Sequence, residues 1–165
     1  MVPDVVAAPH RPAYTHTVAT RWYRAPELLF GAREYGPAVD VWAAGCVVGE
    51  LLALSPLFPG HTDILQLARV LQALGSGALL DEWPEAARLP DYGKVSFPPW
   101  RGGGLSPLLP HADSLALDLL GHMLTLNPAR RASAAQVLRH EWFRAGPAPA
   151  GAHDIHQWLK REGLV

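Results

Sequence analysis

The sequence predicts a mainly α-helical fold, and three stretches carry that expectation. Residues 36–54, GPAVDVWAAGCVVGELLAL, are apolar on every side except at Asp40 and Glu50, and a helix that is hydrophobic all round belongs in a protein interior. Ile64, Leu67, Val70, Leu71 and Leu74 fall on one helical stripe, and Leu115, Leu119, Met123 and Leu126 recur at the same period over residues 114–126. The first stretch is the expected central helix, with the other two packed around it.

Taken in order, residues 1–13 hold three prolines and no clean period, so they form an irregular lead-in. Residues 14–35, YTHTVATRWYRAPELLFGAREY, are unlike an ordinary loop, because Arg21, Trp22, Tyr23 and Arg24 crowd in just before Ala25-Pro26-Glu27. An exposed linker holds small polar residues instead.

Pro37 stands at the expected first helical position of the central helix, where its missing N–H goes unused. The uncharged run between Asp40 and Glu50 is too short for a membrane span, which needs about 18 to 20 residues. A carboxylate at the mouth of a buried helix requires donors. Asp40 therefore either caps its own first turn or reaches out to fasten a neighbouring loop, and the residues upstream favour the second.

Residues 55–60, SPLFPG, end the central helix as a two-proline turn. Thr62 or Asp63 then caps the helix that runs to Leu74. Residues 75–113 are rich in Pro and Gly, hold Trp83 and Trp100, and are expected to be loop-like. The triple glycine at residues 102–104 is a flexible turn and not a phosphate cradle, since no strand precedes it and no Lys-Ser/Thr follows. Asp113 or Ser114 starts the next helix and Asn127-Pro128 breaks it. A short helix from Ser133 to His140 follows Arg130-Arg131. Residues 146–152, GPAPAGA, read as a linker to a tail in which Ile155, Trp158 and Leu159 form a small apolar face that either docks or frays. His153 and His156 lack a third ligand, so no metal is expected.

Charge excludes some partners. With 14 Lys+Arg against 15 Asp+Glu, neither non-specific nucleic-acid binding nor an anionic membrane surface is expected. The single cysteine, Cys46, permits no internal disulfide and suits a reducing compartment as a buried small hydrophobe. The start of the chain lacks a basic leader with a long apolar core, so an intracellular soluble protein is expected.

Ala25-Pro26-Glu27 resembles the Ala-Pro-Glu motif of eukaryotic protein kinases, and Asp40-Val41-Trp42 with Gly45 resembles the start of their buried helix F. Within that family, residues 20–24, Thr-Arg-Trp-Tyr-Arg, resemble the group of cyclin-dependent and mitogen-activated kinases. Tyr14-Thr15-His16 is similar to the cyclin-dependent members. LLFGAREY, residues 28–35, and LPDYGKVSF, residues 89–97, are most similar to the cell-cycle-related kinase branch. The resemblance covers residues 14–143 and implies an incomplete C-terminal lobe of the kinase fold: activation segment, helices F to I and the group's insert. Residues 144–165 are linker and tail.

The resemblance also implies roles. Thr15 matches an activating phosphothreonine, whose phosphate is caught by arginines; an unmodified loop hydroxyl is the plain alternative. Ala19, Thr20, Arg21, Trp22, Tyr23 and Arg24 match the peptide-binding part of the activation segment. The carbonyl at the position of Ala19 turns toward the position of Arg24, so a substrate residue after the target Ser or Thr has no acceptor for its N–H. That orphan costs about 1 to 3 kcal/mol, and proline has no N–H to lose; Ser/Thr-Pro substrates are implied. Arg131 matches an arginine that pairs, buried, with the motif glutamate, here Glu27, and Asp40 matches a residue that holds the catalytic loop.

The family reaction uses Mg-ATP. These 165 residues contain no Gly-x-Gly-x-x-Gly loop, no Val-Ala-x-Lys, no His-Arg-Asp and no Asp-Phe-Gly. No catalytic, cofactor-binding or metal-binding residue is therefore assigned, and the isolated chain is expected to be inactive. Two readings stay open: the C-terminal lobe of a Ser/Thr kinase of this group, or a non-catalytic lobe that binds substrates or regulators. Protein substrates, a cyclin or another kinase regulator, and a place in nucleus and cytoplasm, or the cilium, are implied by family. Helix F in that family is covered partly by helix E and the catalytic loop. A missing apolar contact of about 400 Å² forgoes roughly 10 kcal/mol, against a typical total of about 5 to 15 kcal/mol, so a marginal, sticky lobe is expected.

Overall fold

The computed structural model describes residues 21–77, 79–145 and 151–163. Among these residues the secondary structure is helix and turn without a strand, a mainly α fold. A 3-10 turn, Arg21–Tyr23, leads into α1, Pro26–Leu29, which Pro26 opens. The next helix, α2, spans Ala38–Ala53. Pro37 is its N-cap rather than its first helical residue, and the Pro37 carbonyl accepts from the N–H groups of Asp40 and Val41. The proline ring fixes φ at a helix-compatible value one residue early.

The all-round apolar character of α2 does not give all-round burial. Val41, Trp42, Gly45, Cys46 and Gly49 face the interior, while Val47, Leu51 and Leu54 form a ridge with 47%, 70% and 90% of their surface exposed. The inner face packs against α5, Ser114–Met123, and against the Arg21–Tyr23 turn. Gly45 permits that approach: a Cβ there would lie 3.0 Å from Met123 Cβ and Leu124 Cδ2. Leu54 ends the helix with φ 55°, left-handed backbone that glycine normally fills.

Between them lies α3, Asp63–Leu74, capped by Thr62, whose hydroxyl accepts from the Leu65 N–H at 3.2 Å. Leu67, Val70 and Leu71 are buried as their spacing predicts. Ile64 is not; it sits in the first turn and lines an open cleft. Gln66 is buried in its stead; its Nε2 donates to the Trp22 carbonyl, while its Oε1 is buried without a hydrogen-bond partner among the described residues.

The expected loop of residues 75–113 contains α4, Leu79–Glu82, and a 3-10 turn, Pro84–Arg88. Trp83 between them is buried and meets Phe30 edge-on at 6.0 Å. Burial of one large aromatic thus organises two short turns that no periodicity announces. Asp113 caps α5 by accepting from the Ala116 N–H at 2.7 Å. The helix expected from Ser133 to His140 is shorter, α6, Ala134–Val137, with Ser133 and Gln136 forming a capping box. It is followed by α7, Trp142–Ala145, and the tail forms α8, Ala152–Arg161, with Ile155 and Trp158 about half exposed. No helix among the described residues is long and apolar enough to cross a membrane.

Candidate functional site

Four consecutive residues, Arg21 to Arg24, are held against the approach to α3 by side chains that each find a partner. Arg21 Nε donates to Asp63 Oδ1 at 2.7 Å and its Nη1 to the His61 carbonyl at 3.2 Å. Arg24 Nη1 donates to both oxygens of Asp63, at 3.0 and 3.1 Å. Trp22 Nε1 donates to the Gly60 carbonyl at 3.2 Å, and the Trp22 carbonyl accepts from Gln66 Nε2 at 3.2 Å. Tyr23 turns the other way, and its hydroxyl donates to Glu50 Oε2 at 2.7 Å. That bond, then burial and the Glu50 charge, raise the Tyr23 phenol above its ordinary value. The 3-10 turn explains the alternation, since successive side chains of a three-residue turn point about 120° apart.

Behind this segment, Glu27 and Arg131 form a bidentate pair at 2.8 and 2.9 Å, with Arg131 fully buried and Glu27 nearly so. Arg131 also donates to the carbonyls of Ala38, Thr125 and Leu126, and its guanidinium lies 5.1 Å over the Trp42 ring. Among the described residues this buried acid and base are the charged pair of the core, satisfied by each other and by backbone oxygens. Cys46, buried nearby, has its thiol pushed up to about 12 by burial, with the Arg131 charge opposing and the Glu50 charge adding to the rise. It is an inert thiol.

Asp40, whose partner by resemblance is a catalytic loop that these 165 residues do not contain, stands in the first turn of α2. It is exposed, and among the described residues its carboxylate neither caps α2 nor holds a loop. It directly precedes the buried Val41 and Trp42, yet it is itself exposed, so it does not bear the burial cost expected of an interior carboxylate. Thr15, Ala19 and Thr20 lie outside the described residues.

Sequence reasoning missed Asp63, Glu50 and Gln66 as partners of the segment. A signal existed for Asp63: Thr62 already supplies the cap, which leaves the adjacent carboxylate free for another donor. It also missed Asp118, which accepts from His140 Nε2 at 3.0 Å and has His122 Nε2 3.8 Å from its other oxygen. The three side chains have metal-ligating atoms close together. The Trp142 N–H, however, donates to His140 Nδ1 at 3.2 Å. A neutral His140 that accepts at Nδ1 carries its proton on Nε2 and offers Asp118 a donor rather than a metal a lone pair. The cluster is a clasp between α5 and the start of α7.

Beside the Arg21–Arg24 segment lies a cleft of about 380 Å³, walled by Leu28, Phe30, Ile64 and Phe97. Its acids, Asp63 and Asp91, are already paired with Arg24 and Lys94.

Comparison with known proteins places this geometry. Residues 5–143 match the family described as protein kinase domain. The chain is 54% identical to cyclin-dependent kinase 20 of Rattus norvegicus over 142 residues, 86% of this chain and 41% of that protein. It is 52% identical to cyclin-dependent kinase 20 of Homo sapiens over the same shares. Cyclin-dependent kinase D-1 of Arabidopsis thaliana is 48% identical over 82% of this chain and 33% of that protein. The chain thus spans about two fifths of the length of the first of these relatives. Together with the helical lobe and the segment preceding Pro26, these matches mean that the chain belongs to the protein kinase family, on its cyclin-dependent-kinase-like branch.

Proposed function

We propose that this chain is the substrate-docking portion of a Ser/Thr protein kinase, receiving protein segments in which proline follows the target Ser or Thr. The observation that carries the reading is the fixing of Arg21 and Arg24 by Asp63 just before Pro26. A substrate strand laid along Ala19 and Thr20 meets a segment whose side chains already have partners, so little ordering remains to be done on binding. By the family resemblance, the residue after the target then has no acceptor for its N–H, and only proline enters without loss.

The residues described do not fit Mg-ATP. A nucleotide needs a backbone cradle or lysine for its phosphates and free carboxylates for the metal, whereas the cleft beside the segment is apolar and its acids are paired. In this reading the 165 residues by themselves are a docking lobe and not a phosphoryl-transfer site, which the absence of His-Arg-Asp and Asp-Phe-Gly from the sequence supports. A phosphate on Thr15, a cyclin or another kinase regulator as partner, and work in the nucleus, cytoplasm or cilium belong to the same reading; imaging of the endogenous chain checks the last.

The test uses fluorescent peptides that differ only in Ser-Pro against Ser-Ala. The chain should favour Ser-Pro by about tenfold, the equivalent of one orphaned N–H, with or without Mg-ATP. Arg24→Ala should abolish the preference. Equal binding of both peptides by the unmodified chain sinks the docking reading, and phosphate transfer by the purified chain sinks the claim of inactivity.

A further inference from the structure

We propose that Ser55 is a phosphate acceptor for a proline-directed Ser/Thr protein kinase, and that the phosphate loosens the end of α2. The chain is then a substrate in its own right, whether or not it also docks one, and Ser55 gains a role that neither the sequence motifs nor the family resemblance gave it.

Ser-Pro or Thr-Pro occurs twice in the chain, at Ser55-Pro56 and Ser106-Pro107, and both serines are exposed. Their surroundings differ. A hydroxyl that attacks a γ-phosphate in line has to be drawn into another protein's cleft with a few residues on either side. Ser106 resists this, because the Leu105 carbonyl accepts from the N–H groups of Leu108 and Leu109, both at 3.0 Å, and the flanking Leu105 and Leu109 are buried. Ser55 has no such anchor before it. The helix ends at Ala53, and Leu54 is held at φ 55°, left-handed backbone that a leucine adopts against a steric cost. Leu51, Leu52 and Leu54 keep 70%, 39% and 90% of their surface exposed, so unwinding the last turn forfeits little burial and relieves Leu54. Pro56 biases Ser55 toward extended backbone and has no N–H for the kinase to satisfy. Burial resumes at Leu57 and Phe58, which tie the segment to the core just past the target.

In the transfer, Ser55 Oγ attacks the γ-phosphorus of ATP held by the acting kinase. The bond from that phosphorus to the bridging oxygen breaks, ADP leaves, and the hydroxyl proton passes to the kinase's carboxylate base. The phosphoserine carries close to two negative charges at neutral pH. They stand two residues beyond α2, where the last carbonyls already present partial negative charge, and none of residues 50–60 is cationic. Repulsion therefore favours the unwound end of the helix. A dianion at the foot of the Val47, Leu51 and Leu54 ridge also opposes burial of that ridge against any apolar surface.

The test treats the full chain with an activated mitogen-activated kinase and Mg-ATP, and follows phosphate at each serine by fragment mass. Ser55 should be modified about tenfold faster than Ser106, and Pro56→Ala should slow it about tenfold, the equivalent of one orphaned N–H. Ser55→Ala should remove that product. No phosphate on Ser55, or a rate at Ser106 as high as at Ser55, which an unfolded chain would give, overturns the acceptor role. Amide exchange at Leu51, Leu52 and Ala53 should quicken about threefold in the phosphorylated chain and return after phosphatase treatment; unchanged exchange overturns the loosening. Neither readout uses peptide binding by the chain, so failure of the docking reading leaves both standing.

Discussion

The phenol of Tyr23 donates to the carboxylate of Glu50 at 2.7 Å, joining the Arg21–Arg24 segment to the last turns of α2. The bond favours the protonated phenol, so its folded-state pKa lies above the ordinary 10.0. Its contribution to stability is fully present below about pH 10 and is lost as the pH rises through the folded-state value. Tyrosinate absorbance should show one late-titrating tyrosine that disappears in Tyr23→Phe and titrates earlier in Glu50→Gln. An identical titration in Glu50→Gln would show that the pairing is not made in solution.

Breaking the Glu27–Arg131 pair should be the costliest single change in the chain. Glu27→Gln or Arg131→Ala strands a buried charge or its partner oxygens, a loss of about 3 to 5 kcal/mol in urea unfolding. Replacing both by Met and Leu should recover part of that, because no charge remains unpaired. Recovery stays incomplete, since the carbonyls of Ala38, Thr125 and Leu126 lose their donor. A loss below about 1 kcal/mol for either single variant, the range of exposed pairs, would contradict the buried geometry.

Asp40→Ala should change stability by less than about 1 kcal/mol, the range of a helix-dipole contribution at an exposed first turn. A loss comparable with that of Glu27→Gln would mean that its carboxylate finds donors beyond the described residues.

Leu54→Gly should stabilise the chain by about 1 kcal/mol, the penalty a side chain pays in left-handed backbone. Leu54 buries almost nothing that the substitution would forfeit. A fall in the thermal midpoint would mean that this side chain is covered in solution, through self-association along the Val47, Leu51 and Leu54 ridge. Light scattering at two concentrations separates the cases.

Much of this architecture was legible because local rules and tertiary demands agree. Thr62, Asp113 and Ser133 cap the helices they precede, and the 67/70/71 spacing marks a face that is indeed inside. The Glu27–Arg131 contact was reached only through resemblance, since nothing local links residues so far apart in sequence. Asp40 misled because an acid in an apolar run looks buried when only one face of the run is. Trp83 and its flanking turns were unreadable for a different reason: their order comes from a distant aromatic, Phe30, and not from any period of their own. Asp63 escaped notice because its partners come from a turn some 40 residues earlier in the chain.

The buried pair also sets a timetable for biosynthesis. Glu27 and Arg131 are 104 residues apart, so at a translation rate of about 5 to 20 residues per second Glu27 is made roughly 5 to 20 seconds before its counter-charge. Throughout that interval the carboxylate cannot enter the core without a partner, and α2 has neither α5 nor Arg131 to lie against. The nascent polypeptide must wait, solvated or chaperone-bound, until its last third arrives. A ribosome stalled before Arg131 should accordingly display a protease-sensitive chain, and one stalled well beyond it a resistant one.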